Sequence, residues 1–364
     1  MTEAPLVDAA QVRGALEYYA AQGWTDGLPV VPVTDSYLRE FLACTRRDPG
    51  EVLLTIPHLN RHCTVELAAI NAALAGCLPG YFPVVLAAWD ALAQEPLPVR
   101  GIWQSTTGSA PLLIVNGPVR AKIGVNGAGN IFGSGFRANA TIGRAIRLGA
   151  INVFGLHPHV LDQATQGTPA KYSACIAENE EESGWSPLHV EHGLDPSESA
   201  VTAAIIRSCL HIEARHTSVP EHLASDITNT IARTGALVHE FTAALVVLSP
   251  EHAGLFASAG WSKDDLRQYI YEHAICTRAQ LAAVGKDAVS RHTRWRLPAD
   301  HPDAVPDQAS AGADPERVAV LSSAEGVQFV VAGASNAGVS AVLDIFSTAR
   351  AVPLSVVKVN DVPS

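Results

Sequence analysis

Four carboxylates fall within five positions in the run Cys175-Ile176-Ala177-Glu178-Asn179-Glu180-Glu181-Glu182, and Trp185, His189 and His192 follow closely. On a surface such a run repels itself by roughly 0.2–0.5 kcal/mol per neighbouring pair, and it reads there as a solvated loop. Delivered from the apolar lead-in Tyr172 to Ala177, it reads instead as a proton-transfer site, because apolar surroundings raise a carboxyl pKa towards neutrality. Glu180 and His189 are the acid–base candidates on that reading, with His192 as a partner or ligand.

Two thiols are candidate nucleophiles or redox groups. Cys77 ends an apolar stretch in Ala75-Gly76-Cys77-Leu78-Pro79-Gly80, and Cys175 opens the acidic run. A helix C-terminus raises a thiol pKa, so Cys77 needs a His or Arg from elsewhere to ionise. The glycine-rich stretch from Gly124 to Gly135 precedes Arg137, Asn139 and Arg144. Its backbone N–H groups and those side chains suit a carboxylate or phosphate, which makes Asn126, Arg137, Asn139 and Arg144 the substrate-binding candidates. Neither the dinucleotide G-x-G-x-x-G spacing nor a Gly-Lys-Ser/Thr loop occurs, and no G-x-S-x-G elbow is present. His58, His62 and Cys63 with His189 and His192 form a possible ligand set, without the C-x-x-C or H-E-x-x-H spacing of a recognisable metal site. His211 and His216 read as isolated fillers.

These residues need elements to hold them. Helices are expected at 8–22, 64–77, 84–94, 138–148, 198–210 and 221–234, with a capping box at Ser262 to Asp265 opening another. Strands are expected at 112–115, 151–154, 244–248, 317–322, 327–332 and 354–359. The alternation predicts an α/β protein with mostly parallel sheets covered by helices, in two related or packed halves. Residues 1–195 form the N-terminal half with the glycine-rich loop and acidic segment. Residues 196–364 form the C-terminal half, with an exposed linker near 298–315.

Composition narrows the class. Hydrophobic residues make up 48% and charged residues 17%, which suits a large buried core. The formal charge of −11, with no basic run, argues against nucleic acid or an anionic membrane as partner. Prolines 79 and 83 break the one long apolar stretch, Leu67 to Ala93. The first residues carry two acids and no base, unlike a signal peptide, so a cytoplasmic location is expected, with the six cysteines as thiols.

Several segments together resemble a bacterial family, the UGSC-type (seleno)proteins, named after a selenocysteine-Gly-Ser-Cys motif. They are Gly23 to Pro32 (Gly-Trp-Thr-Asp-Gly-Leu-Pro-Val-Val-Pro), Val65 to Cys77, Pro111 to Pro118, Arg137 to Arg144 and Cys175 to His189. In the second half Ser249 to Ala253 and Ala259 to Ser262 add to the likeness. The resemblance implies thiol or selenol chemistry, redox or bond-cleaving, although no Cys-Gly-Ser-Cys occurs in this chain.

The leading expectation is therefore a cysteine-dependent enzyme acting on a small, anionic metabolite. Cys77 or Cys175 would be the nucleophile or redox thiol, Glu180 and His189 would move protons, and the Asn and Arg residues would hold the substrate. The alternatives are a metal-dependent lyase or hydrolase using His and Glu ligands, and a non-catalytic metabolite-binding or complex subunit. No motif names a cofactor, and the apolar composition is compatible with a homo-oligomer.

Overall fold

The protein is described by a computed structural model covering residues 8–361, apart from 95–100, 102, 216, 237–241, 294, 313, 322 and 347–353. His216 lies outside the described residues. The chain opens with α1 (Ala9–Ala21) and α2 (Asp35–Leu42), each started by a side chain, Asp8 or Thr34, that accepts from first-turn N–H groups. A hairpin of β1 (Val52–Ile56) and β2 (Arg61–Thr64) leads into α3 (Val65–Ala75) and α4 (Phe82–Ala93). Nearly every residue of α3 and α4 is buried, as expected of helices apolar on all sides.

The chain continues with β3 (Ala110–Asn116), α5 (Val119–Ile123), α6 (Arg137–Asn152), β4 (Cys175–Ala177), α7 (Leu188–Glu191), β5 (Ala200–Ile206) and β6 (Leu210–Glu213). The second half carries α8 (Pro220–Ile231), β7 (Thr242–Leu248), α9 (Pro250–Ser258) and α10 (Lys263–His273). An excursion follows through β8 (Ile275–Thr277), α11 (Arg278–Ala283), β9 (Ala288–Ser290), β10 (Arg296–Leu297), β11 (Ala304–Pro306) and β12 (Arg317–Ala319). Finally β13 (Val327–Val331), β14 (Val339–Phe346) and β15 (Ser355–Lys358) return to the main sheet. Within the segment expected to be a linker, β11 pairs with β9.

One sheet dominates, in the order β13-β7-β14-β5-β3-β4, with β15 on β5 and β6 on β14. The sheet is mixed, which corrects the expectation of a mostly parallel one. β3–β4 and β7–β13 run parallel, whereas β3–β5, β5–β14, β7–β14, β5–β15 and β6–β14 run antiparallel. A strand buried on both faces reads as an unbroken apolar run whichever way its neighbours point, so the sequence carried no sign of direction. The same ambiguity explains why 198–210, expected to be helical, holds the strand β5 and the first residue of β6. All seven residues of β5 are buried, and fully burying a Val or Ile contributes about 1.5–3 kcal/mol, enough to override a weak helical preference. Residues 151–154, expected as a strand, instead end α6 and its cap.

The strand order has an internal two-fold pattern. Ile206 on β5 pairs with Ile345 on β14, and these two strands sit at the centre. Outward from β5 lie β3 and then its parallel partner β4; outward from β14 lie β7 and then its parallel partner β13. The strand after each central one crosses over: β6 follows β5 but pairs with β14, and β15 follows β14 but pairs with β5. The two halves therefore share one sheet and exchange a strand.

The sheet is rolled. Asn179, just beyond β4, donates its N–H to the Val331 carbonyl at the end of β13 (2.7 Å), so the two outermost strands meet. Its inner face, with Leu112, Ile114, Ile176, Leu245, Val330 and Leu343, forms one core. Outside, α3, α4 and α6 pack on the first half, and α8, α9 and α10 on the second. Close packing of α6 needs Gly149, where an added Cβ would lie 2.5 Å from Trp89. Among the described residues no helix is long and apolar enough to cross a membrane.

Candidate functional site

The period of two along β4 sorts the acidic run. Cys175 and Ala177 face the outer helical core, while Ile176 faces the inner core and Glu178 continues on the inner side. On β3, Leu112 and Ile114 face the same way, and Asn116 follows them. The inner face of the first half thus ends in a polar group built on Asn116 and Glu178.

Asn116 Nδ2 donates to Glu178 Oε2 (2.6 Å) and to Glu180 Oε1 (3.0 Å). Glu178 Oε2 also accepts the Leu188 N–H (2.8 Å), which fixes the start of α7 and with it the neighbouring His189. Glu180 Oε1 accepts the Gly117 N–H (2.7 Å), lies 3.9 Å from His189 Nδ1, and its other oxygen lies 3.0 Å from Arg120. Arg120 in turn donates to the Glu178 carbonyl and pairs with Glu181. Gly117 is required where it stands: its φ is +79°, and a Cβ would lie 2.0 Å from the Glu198 carbonyl oxygen.

Both Glu178 and His189 are fully buried. Burial raises the Glu178 carboxyl pKa, against the opposing pull of Lys263, the Leu188 N–H and Asn116. Burial lowers the His189 imidazole pKa, against the pull of Glu180. Each shift favours a neutral form, a carboxylic acid in one case and a free imidazole in the other. Five buried polar atoms here have no hydrogen-bond partner of good geometry among the described residues: Asn116 Oδ1, Glu178 Oε1, both His189 ring nitrogens, and Thr202 Oγ1 on the same face of β5. One His189 ring nitrogen nonetheless donates weakly to the Pro196 carbonyl, which opposes the lowering of the imidazole pKa. An unmet buried donor or acceptor costs about 1–3 kcal/mol, so such groups are met by an ordered water or by a polar ligand.

Other residues singled out in the sequence sit elsewhere. Cys77 and Cys175 lie in the outer core of the first half, close enough for charge on one sulfur to act on the other. Burial pushes the Cys77 thiol up to about 12 and raises that of Cys175 also. Both are therefore thiols at neutral pH, which disfavours the nucleophile expected of them. Arg144 does not face the glycine-rich loop. It binds both oxygens of Asp26 (2.8 Å each) and the carbonyls of Leu28 and Pro29, clamping the Gly-Trp-Thr-Asp-Gly segment. Arg137 is exposed and donates to the Gly76 carbonyl. The Asn139 side chain accepts the Asn126 N–H and donates to the Asn126 and Cys175 carbonyls, while the Asn126 side chain bonds to Ala128 and Gly129 of its own loop. These two brace the loop rather than point into a pocket.

The histidines do not converge. His58 bonds to Gln104, while His62 and Cys63 are successive on β2, one exposed and one buried. Among the described residues no three His, Cys, Asp or Glu side chains are grouped to hold a metal ion. Within the acidic run Glu180 rather than Glu178 was the acid–base candidate, and Asn116, Arg120 and Thr202 were not singled out by sequence reasoning. The one signal for them was the Asn116-Gly117-Pro118 turn that closes β3.

No protein-family model matches the chain, and no curated protein matches it. The reading of the site accordingly rests on its geometry.

Proposed function

We propose that the chain is an enzyme that moves a proton on a small polar metabolite at the Glu178–His189 centre. The supporting observation is the pairing of a buried acid raised in pKa with a buried imidazole lowered in pKa, around Asn116 Oδ1, Glu178 Oε1 and Thr202 Oγ1, which have no partner among the described residues. Environments that push two titratable groups in opposite directions assign one as acid and the other as base. Glu178 gives its proton from the Oε1 side, since Oε2 is held by Asn116 and Leu188. His189 accepts one. Asn116 positions both carboxyl groups, and the Glu180–Arg120 pair forms the outward wall.

An anionic substrate suits this wall. The Arg120–Glu181 pair is held on a side chain that is 70% exposed, and exposed pairs contribute about 0–1 kcal/mol, so a substrate carboxylate can take Glu181's place. The reaction class is isomerisation, elimination or a related proton transfer. Thiol chemistry at Cys77 or Cys175 has less support, because both sulfurs are buried and neutral.

A mixture of candidate substrates serves for the test. The protein is incubated in D2O with a set of small organic acids, and deuterium uptake or product formation is read by mass spectrometry. Wild type should convert at least one compound, and Glu178→Gln should be slower by about 10² to 10⁴-fold. No conversion, or equal conversion by Glu178→Gln and His189→Gln, would overturn the assignment.

A further inference from the structure

The two-fold pattern of the sheet gives Asn116, Glu178 and Glu180 of the acid centre counterparts in the second half. Ile206 pairs with Ala110, and its central partner Ile345 pairs with Ala243, so Ala110 and Ala243 are equivalent positions. Counting the same distance along each strand, Asn116 corresponds to Ser249. Leu113 pairs with Cys175, and the corresponding Val246 pairs with Phe329. Continuing past those strands, Glu178 corresponds to Ala332 and Glu180 to Ala334.

Where the first half has two carboxylates and an asparagine, the second half has two alanines and a serine. The space is not refilled. A cavity of about 430 Å³ opens there, lined by Ser249, Ala332, Gly333 and Ala334 together with Ile131 and Phe132 of the glycine-rich loop. The volume is within the usual range for small-ligand sites, about 300–1,000 Å³. The cavity sits past the carboxyl ends of the parallel strands β7 and β13. The first half supplies part of the wall: Gly129 and Asn130 to Gly133 line it, and a Cβ on Gly129 would meet Ala334 at 3.3 Å.

The lining decides the ligand's charge. Asn130, Asn336, Ser249, Ser340 and His211 supply polar groups beside Ile131, Phe132 and Val247, and among the described residues no Lys, Arg, Asp or Glu lines the cavity. A charge taken into its inner part, beside Val247, Ser249 and Ala332, would give up water without gaining a counter-charge, and at the exposed mouth of Asn130, Phe132 and Asn336 the Glu182 carboxylate, held by Ser335 (2.6 Å), opposes an anion. An uncharged molecule with an apolar body and a hydrogen-bonding head meets no such penalty.

We infer that this cavity is a second, acid-free binding site for a small uncharged ligand, distinct from the Glu178 centre and independent of its chemistry. The probes are benzamide and its charged isostere benzoate, titrated into the full chain by isothermal calorimetry with saturation-transfer NMR as a second readout. Benzamide should bind saturably, benzoate about tenfold more weakly or worse, and Ala334→Leu, which fills the cavity, should abolish binding. Asn336→Ala at the exposed rim is the second variant, should the leucine disturb folding, and it should weaken benzamide. No saturable binding of benzamide, equal binding of benzoate, or undiminished binding by folded variants would overturn the inference.

Discussion

Asn116 Nδ2 stands 2.6 Å from Glu178 Oε2, while the opposite oxygen, Glu178 Oε1, is buried without a partner among the described residues. One side of the carboxyl is held and the other is free. That asymmetry orients an acid in a fold that otherwise fills its rolled sheet with Leu, Ile and Val.

The two pKa shifts predict opposite pH dependences of stability. Glu178 has a raised folded pKa, so the folded state holds a proton that the unfolded chain has released. Its stabilising contribution is complete below its ordinary carboxyl value of 4.5 and is lost as the pH rises towards the folded value. His189 has a lowered folded pKa, so stability is lost as the pH falls below its ordinary 6.5. Melting temperatures of Glu178→Gln relative to wild type should therefore rise as the pH is raised above 4.5. His189→Gln should gain relative to wild type in the acid direction. Differences that do not vary with pH would contradict both shifts.

Gly117→Ala tests the turn that presents the centre. The positive φ and the close Glu198 carbonyl leave no room for a methyl group. The substitution should destabilise by roughly 2 kcal/mol in urea unfolding. It should also impair the site through the Gly117 N–H that holds Glu180. Wild-type stability would show that the turn is not as described.

Arg144→Ala should act on stability rather than on catalysis. Burial alone would raise the Asp26 carboxyl, and the Arg144 pair overrides it and holds the pKa low. The Asp26 side chain is 5% exposed, so removing Arg144 leaves a buried carboxylate unpaired, at a loss of about 3 kcal/mol. Equilibrium unfolding checks this value. A substrate-binding role would appear instead as an altered KM with unchanged stability.

Thiol labelling separates the buried cysteines from the exposed one. Cys209 should react first with a disulfide reagent, because Cys63, Cys77, Cys175 and Cys276 are buried. Those four should react on unfolding. Rapid modification of Cys77 or Cys175 in the native protein, with loss of activity, would restore thiol chemistry as the leading reading.

Glu180 and His189 were visible in the sequence because they lie close together along the chain. Their partners were not, since Asn116 and Thr202 join them only through pairing of β3 with β4 and β5. Cys175 looked like part of the same site, but three residues of β4 are too short to display the alternation that turns it to the opposite face. The α/β class followed from the succession of apolar segments. The two-fold pattern did not, because Glu178 and Glu180 face Ala332 and Ala334 across it, and divergence of that kind erases a repeat from sequence while leaving strand order intact.

The most direct test of the Glu178 assignment is an infrared difference spectrum, wild type minus Glu178→Gln, at neutral pH. A carbonyl stretch of a protonated carboxyl, present in wild type and missing from the variant, is the result expected. A spectrum showing only the loss of ionised carboxylate bands would mean that Glu178 is charged, and its role as the proton donor would fall.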